Sequence, residues 1–243
     1  MSHDQALVDS RIERYAYFDE INRPYVEWQL DVLRRYIGRR VLEVGCGVGS
    51  VLALLSDREL LVGVDKDPEM VGHATERFRG RAAYSFVAMD MAEPSPETMR
   101  HLAARSFDTV VSINVLEHIP DDLAALRAMA SLTGKQGHIA LLVPAHPGLY
   151  GPYDAIDGHV RRYTRSGLVS LIRSANLEVV MVRRFNAVGA VGWWWQYKVL
   201  KRSIHGSAQF GLMTRLVPLC RWAESLVAPP FGLSLAAVCR NPA

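Results

Sequence analysis

Val41-Leu42-Glu43-Val44-Gly45-Cys46-Gly47-Val48-Gly49-Ser50 is the stretch whose reading decides the fold. Val41, Leu42 and Val44 make the short apolar run of a parallel strand covered on both faces. Gly45, Gly47 and Gly49 remove every second Cβ, so the chain can turn sharply and lie close to a ligand. Val51-Leu52-Ala53-Leu54-Leu55 then reads as a helix whose first N–H groups point back at the turn. Glycine turns in this position commonly hold a nucleotide. Glu43 narrows the choice: a carboxylate at the strand end repels a pyrophosphate and suits a ligand with an ammonium group.

Glu43-x-Gly45-x-Gly47-x-Gly49 resembles motif I of the class I S-adenosylmethionine-dependent methyltransferases, and Asn114-Val115-Leu116-Glu117-His118-Ile119 resembles the segment after their fourth strand in small-molecule enzymes of the quinone-biosynthesis type. A third run, Gly158-His159-Val160-Arg161-Arg162-Tyr163-Thr164, is similar to a segment of bacterial ubiquinone-biosynthesis-like O-methyltransferases. The resemblance implies an α/β fold: a Rossmann-like, seven-stranded, mostly parallel sheet with helices on both faces. It also implies S-adenosylmethionine as donor and S-adenosylhomocysteine as product.

The rest of the chain fits that plan. The 243 residues suit a single α/β domain, and 49% hydrophobic content fills a sizeable core. Residues 1–36 read as a helical segment, with Pro24 starting its second helix. Residues 37–184 read as the cofactor-binding core, with strands at Leu60–Asp65, Ala83–Ala88, Phe107–Asn114, Gly137–Val143 and Leu177–Arg183. A last strand is expected at Leu233–Cys239. Between the last two strands, 185–232 reads as a helical cap rich in tryptophan, including Trp193-Trp194-Trp195.

A net charge of +3 gives no reason to expect nucleic-acid binding. Basic residues do outnumber acids after Val179, which reads first as a solvated face and second as a contact for an anionic surface. Cys46, Cys220 and Cys239 are scattered and lack metal-ligand spacing, so a reducing, cytoplasmic setting and no metal are expected. No apolar signal core begins the chain, and no apolar run approaches membrane-spanning length. The partners expected are a small-molecule acceptor and, as a second reading of the cap, a membrane surface touched peripherally. Either a monomer or a homodimer is expected.

Site candidates follow from position. Asp65 ends the second strand about 20 residues beyond the turn, where an acid meets ribose hydroxyls, and the Lys66 stem covers the adenosine. By resemblance, Asp90 accepts from the adenine amino group while Met91 packs on the base. The resemblance further implies that the backbone around Gly45, Cys46, Gly47, Gly49, Asn114 and Val115, with His118, lines the remaining cofactor surface, and that Tyr17 or Arg23 of a leading helix reaches the methionine carboxylate. The long loop from Pro144 to Tyr163 is unusually rich in rings, acids and histidines. It offers Tyr150, Tyr153, Arg162 and Tyr163 to an acceptor, with Trp193 and Trp194 from the cap.

Methylating a phenol or alcohol also requires removal of a proton, a task suited to histidine. His159 is the first candidate for that base, with His118 and His146 behind it and Asp154 or Asp157 orienting it. Oxygen is the favoured acceptor atom, with carbon or nitrogen of an aromatic or prenylated molecule as the alternative. An NAD-linked oxidoreductase is disfavoured by Glu43, and a non-catalytic cofactor-binding protein remains the third class.

Overall fold

In the computed structural model the described residues are 22–195 and 207–242, with side chains described through 195 and from 216. Helix α1 covers 22–33, with Pro24 in its first described turn; the expected helix upstream of it lies outside the described residues. The chain then alternates through β1 (Arg40–Val44), α2 (Ser50–Ala53), β2 (Leu60–Asp65), α3 (Pro68–Arg77), β3 (Tyr84–Ala88), α4 (Pro96–Ala103), β4 (Phe107–Ile113), α5 (Asp122–Leu132) and β5 (Thr133–Pro144). It finishes with α6 (Pro152–Ile156), α7 (Arg165–Ser174), β6 (Glu178–Phe185), α8 (Ala187–Trp194), α9 (Ser207–Leu226) and β7 (Ser234–Arg240).

These seven strands form one sheet in the order β3-β2-β1-β4-β5-β7-β6. Strands β1 to β5 pair in parallel, and β7 runs antiparallel between β5 and β6. The expected Rossmann-like sheet is therefore present. The order reverses between β1 and β4, and this crevice at the carboxyl edge is where open α/β sheets bind ligands.

Alternation along β1 fills both faces. Leu42 and Val44 join the cluster formed with Leu102, Leu126, Met129 and Ile172 of α4, α5 and α7. Val41 points the other way, toward Trp28, Leu33 and Leu52. Asp67 caps α3 by accepting from the Glu69 N–H at 3.0 Å, and Thr164 caps α7 through the Gly167 N–H at 3.0 Å. β5 is longer than its apolar run predicts. It begins at Thr133 opposite Phe107, with a register irregularity before Thr109 pairs with His138, and its exposed polar stretch is held by hydrogen bonds of Gln136 and Gly137 to Asn241.

Among the described residues, α8 and α9 lie in the connection between β6 and β7, anchored by a buried carboxylate. Glu224 of α9 accepts from the N–H groups of Asn186 at 3.1 Å and Ala187 at 2.8 Å, at the start of α8. The Asn186 side chain accepts from the Gly189 N–H at 2.7 Å and donates to the Tyr25 hydroxyl at 3.2 Å, which ties the pair to α1. Arg183 donates to the Glu224 carbonyl, Arg221 pairs with Asp31, and Arg240 pairs with Glu178. Much of the described basic charge near the C-terminus is thus locally paired.

Gly45 is held at φ +76°, and a Cβ there would lie 2.2 Å from Val115 Cγ2. Gly45→Ala should therefore cost on the order of 1–3 kcal/mol, the usual scale for a strained backbone conformation, read as a lower urea midpoint. An unchanged midpoint would contradict this packing.

Candidate functional site

The carboxyl ends of β1 and β2 are locked together by one side chain. Asp65 Oδ2 accepts from the Gly47 N–H at 2.8 Å, and Oδ1 accepts from the Asp67 N–H at 3.0 Å. Gly45 and Cys46 both donate to the Val64 carbonyl, at 2.8 and 3.0 Å. The turn is closed from behind by Val115 on Gly45 and by Phe78 and Phe86, which a Cβ on Gly49 would meet at 2.8 and 3.4 Å. Gly47 is the exception: a Cβ there would meet nothing within 4 Å, so its backbone faces open space.

Acid surrounds this opening. Glu43 is buried in β1 between Gly63 and Val111. Burial, followed by the Glu43 and Asp65 carboxylates, pushes the Cys46 thiol far above its ordinary pKa. The turn therefore lies in a negative field that favours a cationic group, and the residues present fit a ligand carrying both an ammonium and a ribose. Each Asp65 oxygen uses one lone pair on a backbone N–H and keeps another for a hydroxyl.

Other expected cofactor residues are distributed differently. Lys66 is exposed, and its charge helps lower the pKa of His118. Asn114 is exposed at the end of β4 with φ +54°. Asp90 caps its own turn by accepting from the Ala92 N–H at 2.8 Å, and Met91 is buried in the core beneath it. Arg23 pairs with Glu27 at 3.1 Å on the exposed face of α1. Tyr17 lies outside the described residues.

A second cluster lies where the long loop returns to the sheet. The Val160 N–H donates to the Glu117 carbonyl at 2.9 Å, and residues 145 and 163 form a parallel bridge. These bonds bring His159 against His118, with ring centroids 4.7 Å apart at 83°. His159 Nδ1 lies 2.9 Å from Asp154 Oδ1, and Nε2 lies 3.0 Å from Asp157 Oδ2. Burial of the ring opposes charge, but Asp154 and Asp157, with Glu117 behind them, outweigh it and raise His159 to about 9.

Asp154 and Asp157 sit on His159 as the sequence suggests, and the charge they favour on its ring weighs against its service as the base. Both ring nitrogens are taken by carboxylates, so the ring is an imidazolium at neutral pH and has no lone pair to offer. His118 differs: burial and then the charge of His159 lower its pKa, which keeps it neutral. Glu117, His118 and His159 each offer one donor atom within 4.8 Å of the others, a spacing that a cation could use. Sequence spacing does not disclose it, because His159 is remote in the chain and the burial of Glu117 is a tertiary property.

Arg162 and the tryptophans join this cluster to the cap. Arg162 is buried, donates to Asp154 Oδ1 at 2.9 Å and to the Ala145 carbonyl at 3.2 Å, and lies 4.6 Å from the Trp193 ring centroid. Trp193 donates to the Leu149 carbonyl at 3.1 Å and meets Tyr153 edge-on at 5.4 Å. Tyr163 is buried, donating to Asp122 Oδ2 at 3.0 Å, and Tyr150 donates to the His159 carbonyl at 2.7 Å. Arg162, Tyr163 and Trp193 therefore brace the loop.

The open surface belongs to a neighbouring cleft of about 590 Å³ between the start of the loop and α8, which Leu149, Ala190, Val191, Trp194 and Phe231 line with apolar surface. His146 is its titratable group, exposed and strained at φ 59°, ψ 92°. Phe231, at the far end of the 185–232 insertion, is not singled out by the sequence as a site candidate.

A family model described as a methyltransferase domain matches residues 5–182. The ubiquinone biosynthesis O-methyltransferase of Xanthomonas euvesicatoria pv. vesicatoria is 37% identical over 122 residues, covering 48% of this chain and 46% of that protein. The matched stretch thus spans about half the length of such curated relatives. Among solved structures, the N-methyltransferase NodS of Bradyrhizobium japonicum in complex with S-adenosylhomocysteine superposes with a TM-score of 0.57 at 19% identity, covering 92% of this chain and 88% of that one. The [4+2]-cyclase SpnF superposes with a TM-score of 0.59 at 17% identity, covering 90% and 80%. At these identities the superpositions speak for the fold, which one of the two structures uses for a different reaction.

Charge on His159 links stability to pH. Its folded pKa is raised from 6.5 to about 9, so the stabilisation is complete below about pH 6.5 and is lost as pH rises through about 9. At about 1.4 kcal/mol per unit the loss is on the order of 3 kcal/mol at most. Urea unfolding between pH 6 and 10 should show this decline in the unmodified protein and a flatter profile in His159→Gln; parallel profiles would contradict the imidazolium assignment.

Proposed function

From a chain that belongs to the class I S-adenosylmethionine-dependent methyltransferases, we propose an enzyme that methylates a hydroxyl of an apolar or aromatic small molecule. The observation that carries this reading is the acid-flanked glycine turn, open at Gly47 and bordered by Glu43 and Asp65. It favours a cationic nucleoside ligand and opposes a pyrophosphate. S-adenosylmethionine, when bound, supplies a methyl group already activated as a sulfonium.

The chain's own residues then have three tasks. Asp65 and the turn hold the nucleoside, with Glu43 favouring positive charge. The apolar cleft beside α8 receives the acceptor and excludes water. Its volume falls within the usual range for small-molecule pockets. His118, neutral and half-buried, takes the acceptor's hydroxyl proton as the oxygen attacks. His159 does not touch the acceptor; its fixed positive charge keeps His118 neutral beforehand and promotes onward loss of the proton. Oxygen is favoured over nitrogen or carbon because the relatives matched act in ubiquinone O-methylation by name and because a neutral histidine suits a phenol.

A second reading of the cap rests on the exposure of Val188, Trp195, Leu219, Trp222, Leu226 and Val227 along α8, α9 and the chain just beyond. Such a face supports peripheral contact with a membrane that delivers a lipid-like acceptor. Among the described residues no helix is long and apolar enough to cross a membrane. Binding to liposomes that disappears after Trp222→Ala and Leu219→Ala would support contact, and equal binding by both variants would exclude this face.

Transfer of labelled methyl groups to a panel of phenols, catechols and amines tests the main reading. Label should appear in an aryl methyl ether, and His118→Ala should lower kcat by about 10²-fold or more while leaving S-adenosylhomocysteine affinity unchanged. Labelling of amines alone, or full activity in the variant, would contradict it.

A further inference from the structure

The cleft beside α8 is walled by Pro147, Leu149, Ala190, Val191 and Phe231, none of which offers it a polar side-chain atom. His146 and Trp194 are the lining side chains that carry nitrogen. Three backbone carbonyls at its border are already engaged. The His146 carbonyl accepts from the Leu149 N–H at 2.8 Å, and the Pro147 carbonyl accepts from the Tyr150 N–H at 3.0 Å. The Leu149 carbonyl accepts from the Trp193 indole at 3.1 Å. Among the described residues, neither ring nitrogen of His146 has a hydrogen-bond partner in the protein. Polar recognition in this cleft therefore falls on that imidazole, with the Trp194 indole N–H as the other donor.

The backbone that presents the ring is strained. His146 has φ 59° and ψ 92°, outside the regions that a residue with a Cβ adopts at low cost. It also precedes Pro147, and the residue before a proline normally takes an extended conformation with negative φ. A glycine would adopt this conformation more readily. The fold holds the strained residue from both sides. The His146 N–H donates to the Tyr163 carbonyl at 3.0 Å, next to the bridge between Ala145 and Tyr163, and the Ala145 N–H donates to the Leu233 carbonyl at 2.8 Å. The imidazole takes no part in these bonds and is exposed, so neither the turn nor the core accounts for a histidine here. Strained residues held in this way cluster at ligand sites. This one is also the residue whose unengaged nitrogens line the cleft.

We propose that His146 is the specificity-determining contact of the acceptor cleft: its imidazole hydrogen-bonds an oxygen of the acceptor other than the one methylated. The proposal rests on the methyltransferase reading above and narrows its substrate class. The acceptor is a largely hydrocarbon molecule that carries a second oxygen function besides the hydroxyl to be methylated. Apolar walls give such a molecule affinity but leave it free to slide and rotate. One directional hydrogen bond fixes its orientation, and so decides which hydroxyl is offered for methylation. His146 binds and orients the acceptor and moves no proton. Because its ring is exposed, water replaces a missing partner, so the preference it confers is modest.

The test uses two probes of the same shape, 2-acetylnaphthalene and 2-isopropenylnaphthalene, which differ by a carbonyl oxygen in place of a methylene group. Neither has a hydroxyl for His118 to act on. Both are titrated into the full chain loaded with S-adenosylhomocysteine, and the Trp194 indole N–H signal is followed by NMR. The acetyl probe should bind roughly 3- to 10-fold more tightly, the usual worth of one neutral hydrogen bond formed in exchange with water. That preference should vanish in His146→Leu and in His146→Gly; the glycine variant suits the strained turn and decides alone if the leucine variant does not fold. Equal affinities in the unmodified protein, a preference that survives in a folded variant, or no binding of either probe would overturn the proposal. A chain that fails to bind S-adenosylhomocysteine would overturn the methyltransferase reading and this proposal with it, whereas a chain that binds it but shows no preference dependent on His146 would overturn this proposal alone.

Discussion

Asp65 sets the geometry on which the rest of the ligand-binding edge depends. Its two oxygens accept backbone N–H groups from the turn after β1 and from the chain after β2. Those two strands are neighbours in the sheet, so one carboxylate joins the ends of two elements at the point where a ligand must lie. Hydrogen bonds to a charged acceptor are stronger than neutral ones, and a turn held in this way keeps its shape without a ligand. The same oxygens retain capacity for further donors, so the residue that builds the turn also presents it.

The second constraint is charge balance behind His118. A loop from β5 wraps back to the short turn after β4 and is held there by Arg162, Asp154 and the Glu117 carbonyl. It places His159, whose pKa is raised, beside His118, whose pKa is lowered, with a buried acid near both. A single histidine on a surface loop has none of this control over its protonation. The cap is tied to the same loop through Trp193, which lies against Arg162 and donates to the Leu149 carbonyl.

Much of the fold was legible in the sequence because its signals are local. Apolar runs ending in glycine or acid marked the strands, and Asp67 and Thr164 were recognisable caps. Glu43, the glycines and Asp65 could be picked out because one turn holds them together. The long-range features were hidden. The tryptophan-rich insertion offered Trp193 and Trp194 as equivalent candidates, yet packing turns the first onto Arg162 and the second into the cleft. His159 stands out as a base by position, while the two carboxylates that favour charge on its ring come from the fold. Glu117 could be read as part of a motif, while its full burial depends on a loop some forty residues away.

Everything proposed for this chain starts from a turn built for a cationic nucleoside and unsuited to a dinucleotide. Isothermal titration of the full chain with S-adenosylhomocysteine and, separately, with NAD tests that directly. Saturable one-site binding of S-adenosylhomocysteine, with no heat from NAD at the same concentrations, is the result predicted. Binding of NAD in preference to S-adenosylhomocysteine would contradict the account at its base.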